Sequence, residues 1–172
     1  GQALALMPAN AAGRNELVER QAAAIYKQAE QARAAGKARE AVEQFTRVAQ
    51  SAPQSAAHAA ALYDAAATLI GLKDWDAAAQ ALESFRRSFP KHALTAEAGS
   101  KLAAIYLEQR RWGLAASEFE RIAATQTDAR LARESLWQAA ELYEKAGSRD
   151  NAARVYTQYA RQHPEPFERN LE

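Results

Sequence analysis

Small and bulky apolar residues recur along this chain at an interval of 37 residues, in four copies that begin at Ala22, Ala59, Ala96 and Arg133. Within each copy the apolar positions fall three or four residues apart, a spacing that places side chains on one face of an α-helix. No stretch shows the strict alternation of apolar and polar residues that indicates a β-strand. The pattern therefore predicts a helical unit that is repeated four times.

Five columns of equivalent residues set the register of the four copies. The first two columns hold alanine throughout, the next two hold mostly bulky apolar residues, and the last holds proline in three copies. In chain order the columns are Ala29, Ala66, Ala103 and Ala140; Ala41, Ala78, Ala115 and Ala152; Phe45, Leu82, Phe119 and Tyr156; Val48, Phe85, Ile122 and Tyr159; and Pro53, Pro90, Thr127 and Pro164. Because alanines let two helices approach closely, each copy is predicted to be a helical hairpin.

The register predicts two helices in each copy. We place them near residues 15–35, 38–51, 56–71, 74–88, 93–109, 112–125, 128–146 and 149–162. Asn15 is the expected N-cap of the first helix, and Asp74 and Asp150 stand at or near the starts of second helices, where a carboxylate can accept hydrogen bonds from free amides. Glu141 and Lys145 have the i,i+4 spacing of a helical ion pair.

The order of these marks within each copy resembles the tetratricopeptide repeat family. The resemblance extends from Ala22 to Pro164. It implies an all-α fold, a right-handed α-solenoid of about four helical hairpins with about eight antiparallel helices. Repeats are expected near residues 22–58, 59–95, 96–132 and 133–164.

The solenoid is expected to occupy residues 15–164. Residues 1–14 are interpreted as the remnant of a preceding repeat and its link, because residues 2–8 look like the end of a second helix with a closing proline. Residues 165–172 are interpreted as a C-terminal tail, of which residues 171–172 resemble an expression-tag scar.

At two further positions of the repeat, one copy has a smaller residue than the other three copies. Gly99 stands where the other copies have Ile25, Leu62 and Leu136, and Ala32 stands where they have Leu69, Tyr106 and Tyr143. Since a glycine in a helix interior costs about 1 kcal/mol relative to alanine, the first and third copies are expected to be the less stable ones.

Composition and charge narrow the classes of function. A net charge of +1 supplies no field that would attract nucleic acid, and the absence of cysteine excludes disulfides and thiolate chemistry. The sequence has no apolar run of 18 residues and no charged leader, so neither membrane insertion nor a signal peptide is expected in it. His58, His92 and His163 are scattered, and no phosphate-binding loop or nucleophile motif occurs. We therefore expect a protein that is not an enzyme and that binds no metal or cofactor.

The resemblance implies that the concave groove, lined by the first helix of each hairpin, binds the partner. Four residues from each copy would line it: Tyr26, Lys27, Glu30 and Arg33; Tyr63, Asp64, Ala67 and Ile70; Ser100, Lys101, Ala104 and Leu107; and Trp137, Gln138, Glu141 and Glu144. Tyr26, Tyr63 and Trp137 occupy one equivalent position and could anchor a peptide. The alternative is that these rings pack against the adjacent helix and expose only their tips.

The expected function is a non-catalytic scaffold that binds a protein or peptide segment. Apolar groove residues beside Glu30, Asp64, Glu141 and Glu144 favour an apolar partner that carries basic residues. One alternative is a structural module that joins further repeats or its own copies through its end faces. The other is a regulatory appendage of an enzyme, or of an envelope-assembly protein, outside this sequence.

The 37-residue spacing exceeds the 34 residues usual in the family by about one helical turn. The link at residues 89–98 resembles that of bacterial envelope members of the family. The resemblance favours a bacterial source and the periplasm or envelope over the cytoplasm.

Overall fold

The computed structural model describes residues 11–163, and these residues form eight helices and no strand. The helices are α1 (Ala11–Ala34), α2 (Ala38–Ser51), α3 (Ala57–Gly71), α4 (Trp75–Ser88), α5 (Thr95–Glu108), α6 (Trp112–Thr125), α7 (Ala129–Lys145) and α8 (Arg149–Gln162). The all-α fold class and the pairing of helices into four hairpins are confirmed.

Two residues predicted to cap helix starts do not do so. Helix α1 begins at Ala11, so Asn15 lies inside the helix and is not its N-cap. Asp74 does occupy the N-cap position of α4, but its side chain makes no capping hydrogen bond and lies 3.6 Å from Arg39 Nη1. The carboxylate that does cap a helix is Asp128, which accepts hydrogen bonds from the amides of Arg130 and Leu131 at the start of α7.

The segments assigned to a preceding repeat and to a C-terminal tail lie outside the described residues, apart from residues 11–14 at the start of α1. Their assignment stays a prediction. Within residues 11–163, no helix combines the length and the hydropathy that crossing a membrane requires.

The same turn joins the two helices of every hairpin. One residue adopts a left-handed conformation in each turn, and these residues lie 37 positions apart: Gly36, Lys73, Arg110 and Gly147. In the first turn the Lys37 amide donates to the Ala32 carbonyl at 2.9 Å, a bond that the other three turns repeat. This Schellman arrangement satisfies the last carbonyls of the first helix. Lys73 and Arg110 adopt positive φ without being glycine, at a modest backbone cost.

The chain divides into two compact units between Thr95 and Ala96. In the first unit α2 packs against α1 and α3, α4 packs against α3, and α1 also contacts α3. Its core contains four fully buried bulky side chains, each worth about 1.5–3 kcal/mol of burial free energy: Phe45, Val48, Leu82 and Phe85. The alanines of both small-residue columns are fully buried beside them, as the register predicts.

In the second unit α7 packs against α6 and α8. The small-residue columns are buried here too, with Ala103 only 2 % exposed and Ala152 only 5 % exposed. The bulky columns differ, because Phe119, Ile122 and the two tyrosines of α8 are only partly buried. The alanine columns are therefore the part of the register that holds in every hairpin.

Candidate partner-binding surface

The first helix of each hairpin carries a stripe of residues that stays open to solvent. In α1 this stripe contains Tyr26, Glu30 and Arg33, whose i, i+4 and i+7 spacing places them on one face. None of the sixteen residues predicted to line the groove is buried. The structure therefore leaves them accessible to a partner, in each of the two units considered separately.

In the first unit Asp64 of α3 joins α1 through two bonds. The Tyr26 hydroxyl donates a hydrogen bond to Asp64 Oδ2, and Arg33 Nη1 lies 3.1 Å from Asp64 Oδ1. Burial of the hydroxyl and its hydrogen bond to Asp64 raise the pKa of Tyr26 above its ordinary value. The three side chains are thus held in one geometry before any partner binds.

The predicted anchor rings of the first unit also rest on rings of the second helices. Tyr26 meets Phe45 edge to face, with ring centroids 5.3 Å apart, and Tyr63 meets Phe85 in the same way at 5.5 Å. The Arg33 guanidinium lies 5.3 Å from the centroid of the Phe45 ring. Packing of these rings against the adjacent helix is the alternative to peptide anchoring, and the contacts agree with that alternative. Both tyrosines nevertheless remain partly exposed.

In the second unit Trp137 of α7 packs against two tyrosines of α8. Its ring centroid lies 5.2 Å from that of Tyr156 and 5.1 Å from that of Tyr159, both edge to face. The Tyr156 hydroxyl donates to Glu144 Oε2 at 3.1 Å. Burial and this hydrogen bond raise the pKa of Tyr156 to about 12. Trp137 and Tyr156 are partly exposed, and Gln138, Glu141 and Glu144 are exposed around them.

The four predicted residues of α5 form a different surface. Ser100 and Ala104 are exposed, Leu107 is half-buried, and Lys101 lies 3.4 Å from Glu97 Oε1. The tyrosine of this helix, Tyr106, is only 2 % exposed. The stripe of α5 therefore offers no aromatic anchor of the kind found on α1, α3 and α7.

Two features of the second unit were missed in the sequence. Lys145 does not pair with Glu141 as predicted, because its Nζ atom lies 3.8 Å from the centroid of the Trp112 ring on α6. Glu120 of α6 receives a hydrogen bond from the Tyr143 hydroxyl at 2.7 Å and two from the Arg154 guanidinium at 2.8 Å each. The hydrogen bonds from Arg154 hold the pKa of Glu120 below its ordinary value.

The potential metal ligands do not cluster in the described part of the chain. No group of three histidine, aspartate or glutamate residues there could hold a metal ion. His58 and His92 are closer than the sequence indicates, since both rings contact Phe89, with centroids 5.0 Å and 6.4 Å away. These histidines form part of an aromatic cluster in the first unit.

Solved structures of helical-repeat proteins have the same fold. MamA from Desulfovibrio magneticus RS-1 is 16 % identical with a TM-score of 0.55, over 84 % of this chain and 77 % of that one. A kinesin light chain with nearly identical TPR-like repeats from Podosopora anserina is 19 % identical with a TM-score of 0.55, over 83 % and 76 %. BtubC from P. vanneervenii is 16 % identical with a TM-score of 0.53, over 88 % and 68 %.

Sequence comparison identifies the repeats themselves. Among curated proteins none matches the chain. The family model described as tetratricopeptide repeat matches residues 23–55, 60–92 and 134–166, which correspond to the first, second and fourth hairpins. Because these segments make up more than half of the chain and coincide with its helical hairpins, the chain belongs to the tetratricopeptide repeat family.

Proposed function

We propose that the stripes of the first helices bind an extended or helical segment of a partner protein, apolar in character and carrying basic residues. Tetratricopeptide repeats are generally non-catalytic scaffolds that bind proteins or peptides, and the fold supports that broad role here. The observation that carries the proposal is the fixed geometry of the exposed stripe on α1 and α3. There Asp64 joins Tyr26 and Arg33 across the two helices.

Such a surface binds at low entropic cost. The Tyr26 and Tyr63 rings already rest on Phe45 and Phe85, so a partner need not immobilise them. Aromatic rings that are partly exposed and held in place are typical anchors of protein interfaces. The side chains of Ala67 and Ile70 on α3 are half-buried and add apolar surface.

The alternative is that the end faces form the interface. A comparison of α1 with the equivalent residues of α3 bears on it. Ala61, Ala65 and Thr68 of α3 are buried, whereas the equivalent residues of α1 are Ala24, Gln28 and Gln31, which are exposed. Gln28 and Gln31 place two polar side chains where α3 has Ala65 and Thr68. The composition of this face of α1 therefore favours solvent over a further apolar contact.

An arginine scan of small residues tests the proposal. Ala67→Arg places a long charged side chain in the proposed binding stripe, and Ala24→Arg places the same side chain on the outer face of α1. Both variants are checked for folding by circular dichroism and are used with the wild type to capture proteins from a lysate of the source organism. We expect Ala67→Arg to lose a partner that wild type and Ala24→Arg retain. Loss with Ala24→Arg alone would contradict the proposal and favour the end faces.

A further inference from the structure

Tyr26, Tyr143 and Tyr156 each donate a hydrogen bond to a carboxylate, and arginine completes two of these pairs. Arg33 lies 3.1 Å from Asp64, which Tyr26 contacts. Arg154 donates twice, at 2.8 Å, to Glu120, which Tyr143 contacts. The third pair, Tyr156 with Glu144, has no such cation among residues 11–163.

The carboxylates near Tyr156 lack a basic partner for a structural reason. Glu141 and Glu144 are both exposed, and neither forms an ion pair with any residue from 11 to 163. Lys145 is the nearest cation along α7, but its ammonium group lies over the Trp112 ring of α6. Both glutamates add to the raised pKa of Tyr156, so their charges act on the same point of the surface.

The first hairpin shows what a cation contacts at the equivalent place. Arg33 lies over the Phe45 ring and pairs with a carboxylate that a tyrosine also contacts. Three repeats later the position of Phe45 is Tyr156 and the position of Arg33 is Glu144. The fourth hairpin thus keeps an aromatic ring at the position of Phe45 and replaces the arginine with an acidic residue.

We propose that the surface formed by Trp137, Glu141, Glu144 and Tyr156 binds the guanidinium group of an arginine in the partner segment. This inference rests on the proposed function and names the side chain that the second unit recognises. A guanidinium group is planar, stacks on aromatic rings and pairs with carboxylates through two parallel N–H bonds, whereas an ammonium group is a point charge. Aromatic rings attract the same cation through their quadrupole. Arginine therefore fits this surface better than lysine.

The test is an NMR titration of the full chain with N-acetyl-arginine methylamide, whose blocked ends leave the guanidinium as its one charge. The lysine and citrulline analogues serve as comparison probes, because citrulline keeps the shape of arginine without its charge. We expect saturable shifts of the Trp137 indole N–H and of the Tyr156 ring with the arginine probe. Binding should weaken when the salt concentration rises, since the carboxylates are exposed.

A matched pair of variants assigns the binding to these carboxylates. Glu141→Gln with Glu144→Gln removes two charges and keeps an acceptor for the Tyr156 hydroxyl. Glu43→Gln with Glu108→Gln removes two exposed charges on α2 and α5 and serves as the control. We expect the first pair to weaken arginine binding about tenfold or more and the control pair to leave it unchanged.

Three results would overturn the inference: no saturable shift with the arginine probe, equal affinity for the lysine or citrulline analogue, or equal weakening in the two pairs of variants. The titration needs no natural partner, so its result is independent of the capture experiment with Ala67→Arg. Arginine binding without partner capture would contradict the proposed function alone. Partner capture without arginine binding would contradict this inference alone.

Discussion

Gly99 is the position at which a single added methyl group should stabilise the protein. It lies inside α5 in a column that holds Ile25, Leu62 and Leu136 in the other copies, and its φ angle is not positive. An ideal Cβ atom at Gly99 would meet Glu118 Oε2 at 3.8 Å, an ordinary van der Waals distance. Alanine therefore fits without displacement. We expect Gly99→Ala to raise the free energy of unfolding by about 0.5–1 kcal/mol.

The assay is urea denaturation followed by circular dichroism, in which a change in midpoint at constant slope reports stability. Gly36→Ala is the control, because nothing lies within 4 Å of a Cβ at Gly36 while its φ angle is +75°. Backbone strain should lower its stability by about 1 kcal/mol. A Gly99→Ala variant that is no more stable than the wild type would refute the claim that Gly99 lowers the free energy of unfolding.

A larger side chain at Gly99 should have the opposite effect. Glu118 is only 4 % exposed and occupies the space beside Gly99, so Gly99→Leu should cost about 1–3 kcal/mol. The equivalent pair in the second copy is Leu62 with Ala81. The double variant Gly99→Leu with Glu118→Ala reproduces that pair and should be more stable than the sum of the two single changes predicts. Strict additivity would show that the two side chains do not share this space.

Three further changes test other parts of the structure. Ala103→Leu should overfill a contact that is 2 % exposed and cost about 1–3 kcal/mol, and an unchanged melting temperature would contradict the register of the hairpins. Trp137→Ala should cost about 1–3 kcal/mol, because the ring makes edge-to-face contacts with two tyrosines of α8; a loss of binding without any loss of thermal stability would show that the ring is free. Glu120→Gln should make the free energy of unfolding less dependent on pH. Hydrogen bonds from Arg154 lower the pKa of Glu120 in the folded state, so the glutamate stabilises the fold above its unfolded pKa near 4.5. This stabilisation disappears as the pH falls through the folded pKa. Urea denaturation of both proteins at pH 7 and pH 3 measures this stabilisation, and a constant difference would contradict the assigned role of Arg154.

The helical hairpins could be predicted because their determinants are local or repeated. Close contact of two helices leaves room only for small side chains, so the alanine columns at Ala29 and Ala41 mark the contacts in every copy. The start of α1 could not be read from Asn15, because a residue that caps helices well is also tolerated inside one. Here the helix continues through it to Ala11.

The networks around the surface could not be predicted, because they join residues that are distant in the sequence. Tyr26 and Asp64 lie on different hairpins, and Glu120 meets Arg154 across α7. Local rules gave a wrong answer for Lys145, whose i,i+4 partner is Glu141 but whose ammonium group lies over Trp112. An exposed helical ion pair contributes only a few tenths of a kcal/mol, so a cation–π contact with a tryptophan can replace it.

The repeat separates positions that maintain the hairpin from positions that are free to specify a partner. Ala29 and its three equivalents are identical and almost entirely buried, since any change there would alter the distance between helices. Four residues further along the same helices, one column reads Arg33, Ile70, Leu107 and Glu144, and none of these is buried. Arg33 pairs with Asp64 within its own unit, whereas Glu144 forms no ion pair with any residue from 11 to 163. A change from a basic to an acidic residue at an equivalent, solvent-accessible position costs the hairpin little, so the chemistry of binding can vary along the chain while the packing stays the same.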